Sequence, residues 1–418
     1  MSPASNCPAA DAHECAADDT PSIVTGVPAT TGDQTLRLAL LISVVVAFLA
    51  ASAAPTPLYE RYDQVWHGTA LTTTITFGIY ALAVLAGLLT LGEVAAHVGR
   101  RPLLLAALTG QAIAVILFAT ADSFAPLMAG RVIQGLATGS ALGVLGASMI
   151  ESHRLGTLAS AAAPAAGTGL GAIMAGLVVG YLPWPMRLIY LVLLTVFALQ
   201  ALAITCLTDS TPRVRGLVAG LRPRVVIPPA ARAAFATAAP VLFAVWALAG
   251  FYGSLGPSLS RQLAHNDSVV LGGVALFILA GVASLATIVL RAASGRGLMA
   301  IGIGGLVAGV AGTTIAIESG SAAGYLIATA VAGVGFGTGF QGAIRTVTPL
   351  AEPQHRAGLL SAVFTVAYLG MGVPAVFAGY LVSRGHSLSG VAVGYAAVLL
   401  VLALTAAVGL LRRPARQG

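Results

Sequence analysis

Gly-Glu-Val-Ala-Ala-His-Val-Gly-Arg-Arg-Pro occupies residues 92–102 and forms a short polar turn between two long apolar runs. The runs, residues 71–91 and 102–120, each have about the 20 residues that a helix needs to cross a bilayer. Because the turn is too short to hold a domain, the two helices must return antiparallel, with the turn on one membrane face. Gly99 permits a sharp bend, and the arginines after it are typical of a cytoplasmic face.

Composition extends this interpretation to the whole chain. Of 418 residues, 57% are hydrophobic and only 8% are charged, and the mean hydropathy is +0.92. A soluble domain carries about 25% charged residues, so most of this chain must face lipid. All 21 basic residues are arginine, and no basic stripe is interleaved with aromatic residues, which argues against nucleic-acid binding.

Apolar runs of spanning length recur along the sequence and predict twelve helices. The candidate spans are 36–54, 71–91, 102–120, 125–150, 157–181, 186–207, 237–259, 268–290, 298–317, 322–350, 357–382 and 389–411. The predicted fold class is an all-α membrane protein of two pseudo-symmetric six-helix bundles.

The arginines at or beyond the ends of the spans are distributed unevenly between the two faces. Fifteen fall on one side, and four fall on the other, namely Arg61, Arg187, Arg261 and Arg384. The positive-inside rule then places both termini in the cytoplasm. We expect an integral protein of the bacterial cytoplasmic membrane.

The same alternation predicts the domain boundaries. Residues 1–35 are polar and acidic and should be a disordered cytoplasmic tail. The first bundle should cover 36–207 and the second 236–411, with a basic linker at 208–235 that contacts anionic lipid headgroups. Residues 412–418 should form a second cytoplasmic tail.

Short motifs recur in the same order in both halves. The pairs are Pro57-x-x-x-Arg61 with Pro257-x-x-x-Arg261, Gly99-Arg100 with Gly295-Arg296, and Gly135-x-x-x-Gly139 with Gly333-x-x-x-Gly337. A duplicated six-plus-six chain is typical of a transporter that rocks about a midplane site.

The opening turn also resembles the loop signature of the major facilitator superfamily, Gly-x-Leu-Ala-Asp-Arg-x-Gly-Arg-Arg. The matching residues are Gly92, Ala95, Gly99, Arg100 and Arg101. The resemblance implies a role for this loop in conformational change. The family's Asp, which helps to hold one conformation closed, is replaced by Ala96, and Glu93 is the candidate substitute.

The fourth span resembles a second family signature, Arg-x-x-Gln-Gly, at Arg131, Gln134 and Gly135. A guanidinium within a span should face a polar cavity or a partner, and the resemblance implies proton transfer or conformational coupling. The alternative is an arginine that reaches water or packs structurally. Glu60 and Asp63 are the predicted acidic partners in proton coupling, although both also fit a solvated outer loop.

The fifth span resembles the family's antiporter signature, Gly-x-x-x-Gly-Pro-x-x-Gly-Gly. Gly167, Gly171 and Gly176 match, whereas Ala172 replaces the proline. The resemblance implies efflux by proton antiport. Close helix packing explains the same glycines about as well.

Family analogy also suggests which residues line a substrate cavity. The candidates are Gln134, Trp246, Tyr252, Phe340 and Gln341. Aromatic walls suit an apolar or amphipathic organic substrate.

Motifs for other kinds of chemistry are missing from the sequence. It has no His-Glu-x-x-His, no nucleotide-binding Gly-x-x-x-x-Gly-Lys and no Gly-x-Ser-x-Gly. Cys7, Cys15 and Cys206 lack zinc-like spacing. We therefore expect no enzyme activity, no cofactor and no metal, and an ion gradient as the energy source.

The favoured function is proton-coupled efflux of a small organic molecule by a monomeric carrier whose partners are the substrate, protons and membrane lipids. One alternative is proton-coupled uptake of a sugar-like or carboxylate metabolite. Another, from a different class, is a non-transporting membrane sensor or lipid-handling protein on the same scaffold.

Overall fold

The computed structural model describes residues 31–92, 94–206, 225–266 and 268–412. The predicted tail up to residue 30, most of the predicted linker, Glu93 and the end of the second tail lie outside these ranges. Every regular element in the described ranges is helical.

Fifteen α-helices are numbered here in chain order, within the described ranges. They are α1 (Thr31–Ala53), α2 (Tyr59–Trp66), α3 (Ala70–Leu91), α4 (Val94–Val98), α5 (Arg100–Thr120), α6 (Phe124–Ser152), α7 (Gly156–Tyr181), α8 (Leu188–Thr205), α9 (Pro229–Ser254), α10 (Gly256–Ala264), α11 (Val269–Val289), α12 (Gly295–Glu318), α13 (Ala322–Val347), α14 (Arg356–Ser383) and α15 (Leu388–Leu411).

Within the described part of the chain, twelve helical segments are long and apolar enough to cross a membrane. The first of them, Gly32–Trp66, joins α1, a 3₁₀ turn and α2. The predicted all-α class and the predicted span count are therefore confirmed. We call the face that carries Arg100 the terminal face, because the first span starts there, and the opposite face the Glu60 face.

Two helices start inside segments that were predicted to be tail or linker. α1 begins at Thr31, so residues 31–35 are helical rather than part of a tail, and Asp33 in the first turn is favourable at a helix N-terminus. α9 begins at Pro229, inside the predicted linker. Proline suits a first helical turn, where the backbone N–H has no partner in the helix.

The buried side chains fall into two clusters. The first contains residues of the first six spans together with Tyr368, Met371 and Ala375 of α14. The second contains residues of the last six spans together with Ala53 and Ala172. Each bundle thus has its own core, and a few residues join each core to the other bundle.

Glycines bring backbones together both within and between the bundles. A Cβ added at Gly302 of α12 would lie 2.3 Å from the Cα of Gly339 in α13. Between bundles, a Cβ at Gly273 of α11 would lie 2.4 Å from the carbonyl oxygen of Ala172 in α7. Because helices in lipid associate largely through van der Waals packing, such contacts fix the bundle geometry.

The first spans of the two bundles are interrupted in similar ways on the Glu60 face. α1 gives way to α2 through a turn at Thr56–Leu58, and α9 gives way to α10 at Leu255. Both short helices end at a histidine in the left-handed conformation, His67 with φ 53° and His265 with φ 49°. The recurring proline motifs therefore lie in corresponding backbone structures.

Candidate functional site

The first feature of the site is a fully buried guanidinium. Arg131 of α6 is 0% exposed. Its Nη1 donates to the backbone oxygen of Ser52 at 2.8 Å and to Oε1 of Gln134 at 2.9 Å, and its Nη2 donates to the hydroxyl of Tyr59. The guanidinium is therefore bonded to neutral groups.

Aromatic rings surround the same charge. The guanidinium carbon lies 5.3 Å from the ring centroid of Tyr80, 5.7 Å from that of Tyr59 and 5.8 Å from that of Phe118. Rings at this distance attract a cation through their quadrupoles. The Nε atom of Arg131 is buried and has no hydrogen-bond partner in the described chain.

The break in the first span positions part of this network. Ser52 is near the end of α1 and Tyr59 begins α2, so both approach Arg131 from one side. Gln111 of α5 extends the network, because its amide nitrogen donates to Oγ1 of Thr138 at 2.8 Å and to the backbone oxygen of Gln134 at 3.4 Å. Gln111 was not among the predicted site residues. The sequence feature that could have identified it is an amide side chain within the apolar run of α5.

The two acids predicted beside Arg131 bond elsewhere. The carboxylate of Glu60 pairs with the guanidinium of Arg261 in α10. Oδ2 of Asp63 accepts a hydrogen bond from the hydroxyl of Thr73 at 2.8 Å, whereas its Oδ1 is buried without a partner in the described chain. Asp63 nevertheless follows Tyr59 by four residues on α2, which places the two on one helical face.

The Glu60–Arg261 pair joins the two bundles and is not isolated. Nearby, the hydroxyl of Thr56 donates to the backbone oxygen of Gly253 at 3.1 Å. The backbone N–H of Leu71 also donates to Oγ of Ser383 at 2.9 Å. All three contacts join the two bundles at the Glu60 face.

On the terminal face, the loop motif forms a different ion pair. Gly99 has φ +99° and precedes α5, so glycine is needed for the bend. The guanidinium of Arg100 donates to both carboxylate oxygens of Glu151, which lies at the end of α6. The distance from Nη2 to Oε1 is 2.9 Å. Gly92 caps α3. Glu151 was not predicted, since nothing in its sequence surroundings indicates a partner.

Arg101 and Ala96 complete the description of this loop. Arg101 is partly buried at the start of α5, whereas Ala96, where the family has Asp, is exposed. Glu93, the predicted substitute, lies outside the described residues.

An aromatic cluster lies in the second bundle. The ring of Trp246 is 4.9 Å from Tyr368, 5.4 Å from Phe340 and 6.1 Å from Phe336, measured between centroids. The Nε1 atom of Trp246 is buried without a hydrogen-bond partner in the described chain. Tyr368 belongs to the same buried core as Tyr80, which connects this cluster to the rings around Arg131.

The remaining cavity candidates are placed differently. Gln134 lies in the Arg131 network, and Gln341 is partly buried directly after Phe340. Tyr252 packs inside the second bundle, where it stacks on Tyr325 at 5.8 Å and its hydroxyl is 2.8 Å from that of Thr329. The structure therefore brings together Trp246 and Phe340 but not Tyr252.

Comparison with known proteins identifies the family. A family model described as Major Facilitator Superfamily matches residues 38–373. No curated protein sequence matches the chain.

Two solved transporters have the same fold. The crystal structure of nucleoside transporter NupG superposes with a TM-score of 0.65 at 14% identity, covering 91% of this chain and 100% of that one. The xylose transporter XylE from E. coli, in a partially occluded inward open conformation, gives a TM-score of 0.69 at 12% identity, covering 89% and 96%.

Proposed function

This chain belongs to the major facilitator superfamily, and we propose that it is a proton-coupled exporter of small, amphipathic organic molecules. The observation that carries the coupling is Arg131, a fully buried cation whose hydrogen-bond partners in the described chain are all neutral. A charged side chain within a span is costly, by at least about 2.5 kcal/mol for an arginine at the span centre, and such residues mark ion and proton pathways.

Asp63 is the proposed entry point for the proton. Its unpartnered Oδ1 and its position one helical turn from Tyr59 make a short relay towards Arg131. A proton on Asp63 would weaken the electrostatic field that the carboxylate exerts on the Tyr59–Arg131 pair. The buried charge would then adjust its position with respect to α1.

We propose that protonation of Glu60 weakens the contact between the two bundles at the Glu60 face. Its carboxylate neutralises Arg261, which is only 5% exposed. If a proton neutralises Glu60, the buried guanidinium of Arg261 loses the negative charge that Glu60 supplies, which is unfavourable. Separation of the two halves, which we place at α1–α8 and α9–α15, would return Arg261 to water.

The aromatic cluster supports the proposed substrate class. Rings around Trp246 offer apolar stacking surfaces, and the unpartnered Nε1 offers one hydrogen-bond donor. No acid of the sequence lies deep within a span, so a cationic substrate would lack a counter-charge. An uncharged aromatic molecule with one acceptor fits these groups best.

Efflux is the direction that the resemblance in the fifth span supports. Gly167 and Gly171 of α7 pack on the backbones of Val46 and Ala50 in α1, while Gly176 lies against Val270 of the other bundle. The motif therefore borders both an internal and a cross-bundle contact. Positive charge on the terminal face supports cytoplasmic termini in a bacterial cytoplasmic membrane, and the proposed transport unit is a monomer.

Uptake is the second candidate. The substrates named for the two similar structures, a nucleoside and xylose, support a sugar-like molecule as the substrate in this case. Such substrates would use the amides of Gln134 and Gln341 more than the rings.

Transport by purified protein in liposomes tests these alternatives. Labelled uncharged aromatic compounds serve as export probes, and a labelled nucleoside and a labelled pentose serve as uptake probes. Antiport predicts accumulation when the lumen is acidic, whereas symport predicts accumulation when the lumen is alkaline. A sensor would bind a probe without moving it.

The variant Arg131→Ala tests the coupling itself. We expect it to lose transport driven by a pH gradient while remaining folded in the membrane, and Arg187→Ala, at an exposed position, to retain it. Full gradient-driven transport by Arg131→Ala would remove Arg131 from the mechanism.

A further inference from the structure

A pocket of about 520 Å³ opens between α9, α14 and α15. Its apolar wall includes Phe243, Pro374, Phe377, Tyr395, Val398 and Leu402. Phe377 and Val398 are 61% and 58% exposed, so the pocket faces the outside of the bundle, where the surrounding medium is lipid. It is thus separate from the aromatic cluster around Trp246.

The shape of the pocket follows from the helices that form it. α14 packs mainly on α3 and α9, and less on α15. Pro374 of α14 lines the pocket, and a Cβ added at Gly394 of α15 would meet no atom within 4 Å. The space between α14 and α15 is therefore left open.

The pocket is long in the direction of the membrane normal. On α15, its lining runs from Ser387 to Leu402, which is about 22 Å at the helical rise of 1.5 Å per residue. One leaflet of the hydrocarbon core is roughly 15 Å thick. An extended acyl chain has the length and chemistry to fill such a space.

The end of the pocket at the Glu60 face is polar and positively charged. His386 and Ser387 line it there. The guanidinium of Arg384 lies 5.1 Å from the ring centroid of Tyr380, and its Nε donates to the Tyr380 hydroxyl at 3.1 Å. Tyr380 in turn stacks on Phe377, a residue of the pocket wall, at 6.5 Å.

Two further features favour an anion at this end. The N-terminus of α15, with Ser387 as its cap, adds the positive end of a helix dipole. Within the described residues, no carboxylate forms a salt bridge with Arg384. An apolar channel with a cationic mouth at the membrane surface complements one class of molecule, an acidic lipid.

We propose that this pocket binds a phospholipid with an anionic headgroup from the leaflet at the Glu60 face. One acyl chain lies along Phe377, Gly394 and Val398, and the phosphate lies beside Arg384 and the start of α15. This site does not depend on the transport cycle proposed above, so a measurement of lipid binding is sufficient to test it.

Native mass spectrometry of the purified full chain tests the proposal with two chain-matched lipids, phosphatidylglycerol and phosphatidylcholine. We expect the protein to retain phosphatidylglycerol in preference. Arg384→Gln should reduce that preference about fivefold, since one arginine near an anionic surface contributes about 1 kcal/mol. Arg187→Gln, on the same face and away from the pocket, should leave it unchanged.

A second pair of variants tests the acyl channel. Gly394→Leu, at a position where an added Cβ meets no atom within 4 Å, places a side chain in the acyl channel and should strongly reduce the retained lipid. Gly304→Leu, at a position outside the pocket where an added Cβ also meets no atom, should not. Thermal melting confirms that both variants fold. Equal retention of the two lipids, or unchanged retention in Gly394→Leu, would overturn the proposal.

Discussion

The carboxylate of Glu60 and the guanidinium of Arg261 form an ion pair that joins the first bundle to the second. Arg261 is buried, while the side chain of Glu60 is 35% exposed. The acid is therefore the member of the pair that protons in the aqueous phase can reach. Opening of the Glu60 face requires this pair to separate.

We predict that Glu60→Gln loosens the Glu60 face. The neutral amide no longer balances the buried charge of Arg261, so Thr56, which is 1% exposed and bonds to Gly253, should become accessible. In a background without native cysteines, the rate at which Thr56→Cys reacts with a water-soluble maleimide should rise several-fold. Arg61→Gln, a charge change at the exposed neighbouring residue, is the control, and equal rates in both backgrounds would contradict the prediction.

The hydroxyl of Tyr59 should matter for coupling rather than for folding alone. Tyr59→Phe removes one hydrogen bond from the buried guanidinium of Arg131, which costs about 1–3 kcal/mol. We expect pH-gradient-driven transport to fall roughly tenfold. Tyr62→Phe removes a comparably buried hydroxyl that bonds to Tyr190 instead, at 2.7 Å. If both variants lose transport equally, the effect lies in packing and not in Arg131.

The aromatic cluster should govern ligand binding. Trp246→Ala removes three ring contacts, each contributing about 0.5–1.5 kcal/mol beyond burial. We expect it to abolish the increase in melting temperature caused by a bound aromatic ligand, and Trp246→Phe to keep part of it. Trp184→Ala is the matched control, because Trp184 is 68% exposed on a loop. A full thermal shift in Trp246→Ala would place the substrate elsewhere.

Packing of α9 on α14 should tolerate no side chain at Gly250. A Cβ there would lie 2.1 Å from the backbone oxygen of Met371, whereas a Cβ at Gly281 would meet nothing within 4 Å. We expect Gly250→Ala to destabilise the protein by about 1–3 kcal/mol, measured as a lower melting temperature in detergent. Gly281→Ala should be neutral or slightly stabilising, since alanine favours a helix over glycine. Equal melting temperatures would show that α9 and α14 separate easily.

Hydropathy and the arrangement of short motifs predicted the helical class and the number of spans, because a bilayer imposes a minimum length on each apolar run. Side-chain partnerships were not predictable in the same way. Glu60 was expected beside Arg131, but the bend after α1 directs it towards Arg261. Likewise, Arg100 pairs with Glu151, an acid distant in sequence that the tertiary fold brings near.

The sequence also did not predict how each helix is rotated about its own axis, and therefore which of its residues face the centre. Trp246 and Tyr252 are six residues apart on α9, which places them roughly 120° apart around the helix. A helix that is apolar on all sides has no contrast between a polar and an apolar face, so its sequence does not show which side faces the centre. Both residues were therefore candidates, whereas the structure shows that only Trp246 contacts Phe340.

The partners of Arg131 bear on how the membrane voltage can act. Ser52, Tyr59 and Gln134 all belong to the first bundle, so we expect any shift of the cation to be a local one within that bundle that leaves it near the same depth in the membrane. Moving one elementary charge across the whole membrane changes its energy by about 2.3 kcal/mol per 100 mV. A charge that stays at one depth contributes almost none of this energy. We therefore expect that any voltage dependence of turnover reflects the charge of the transported species and not displacement of this arginine.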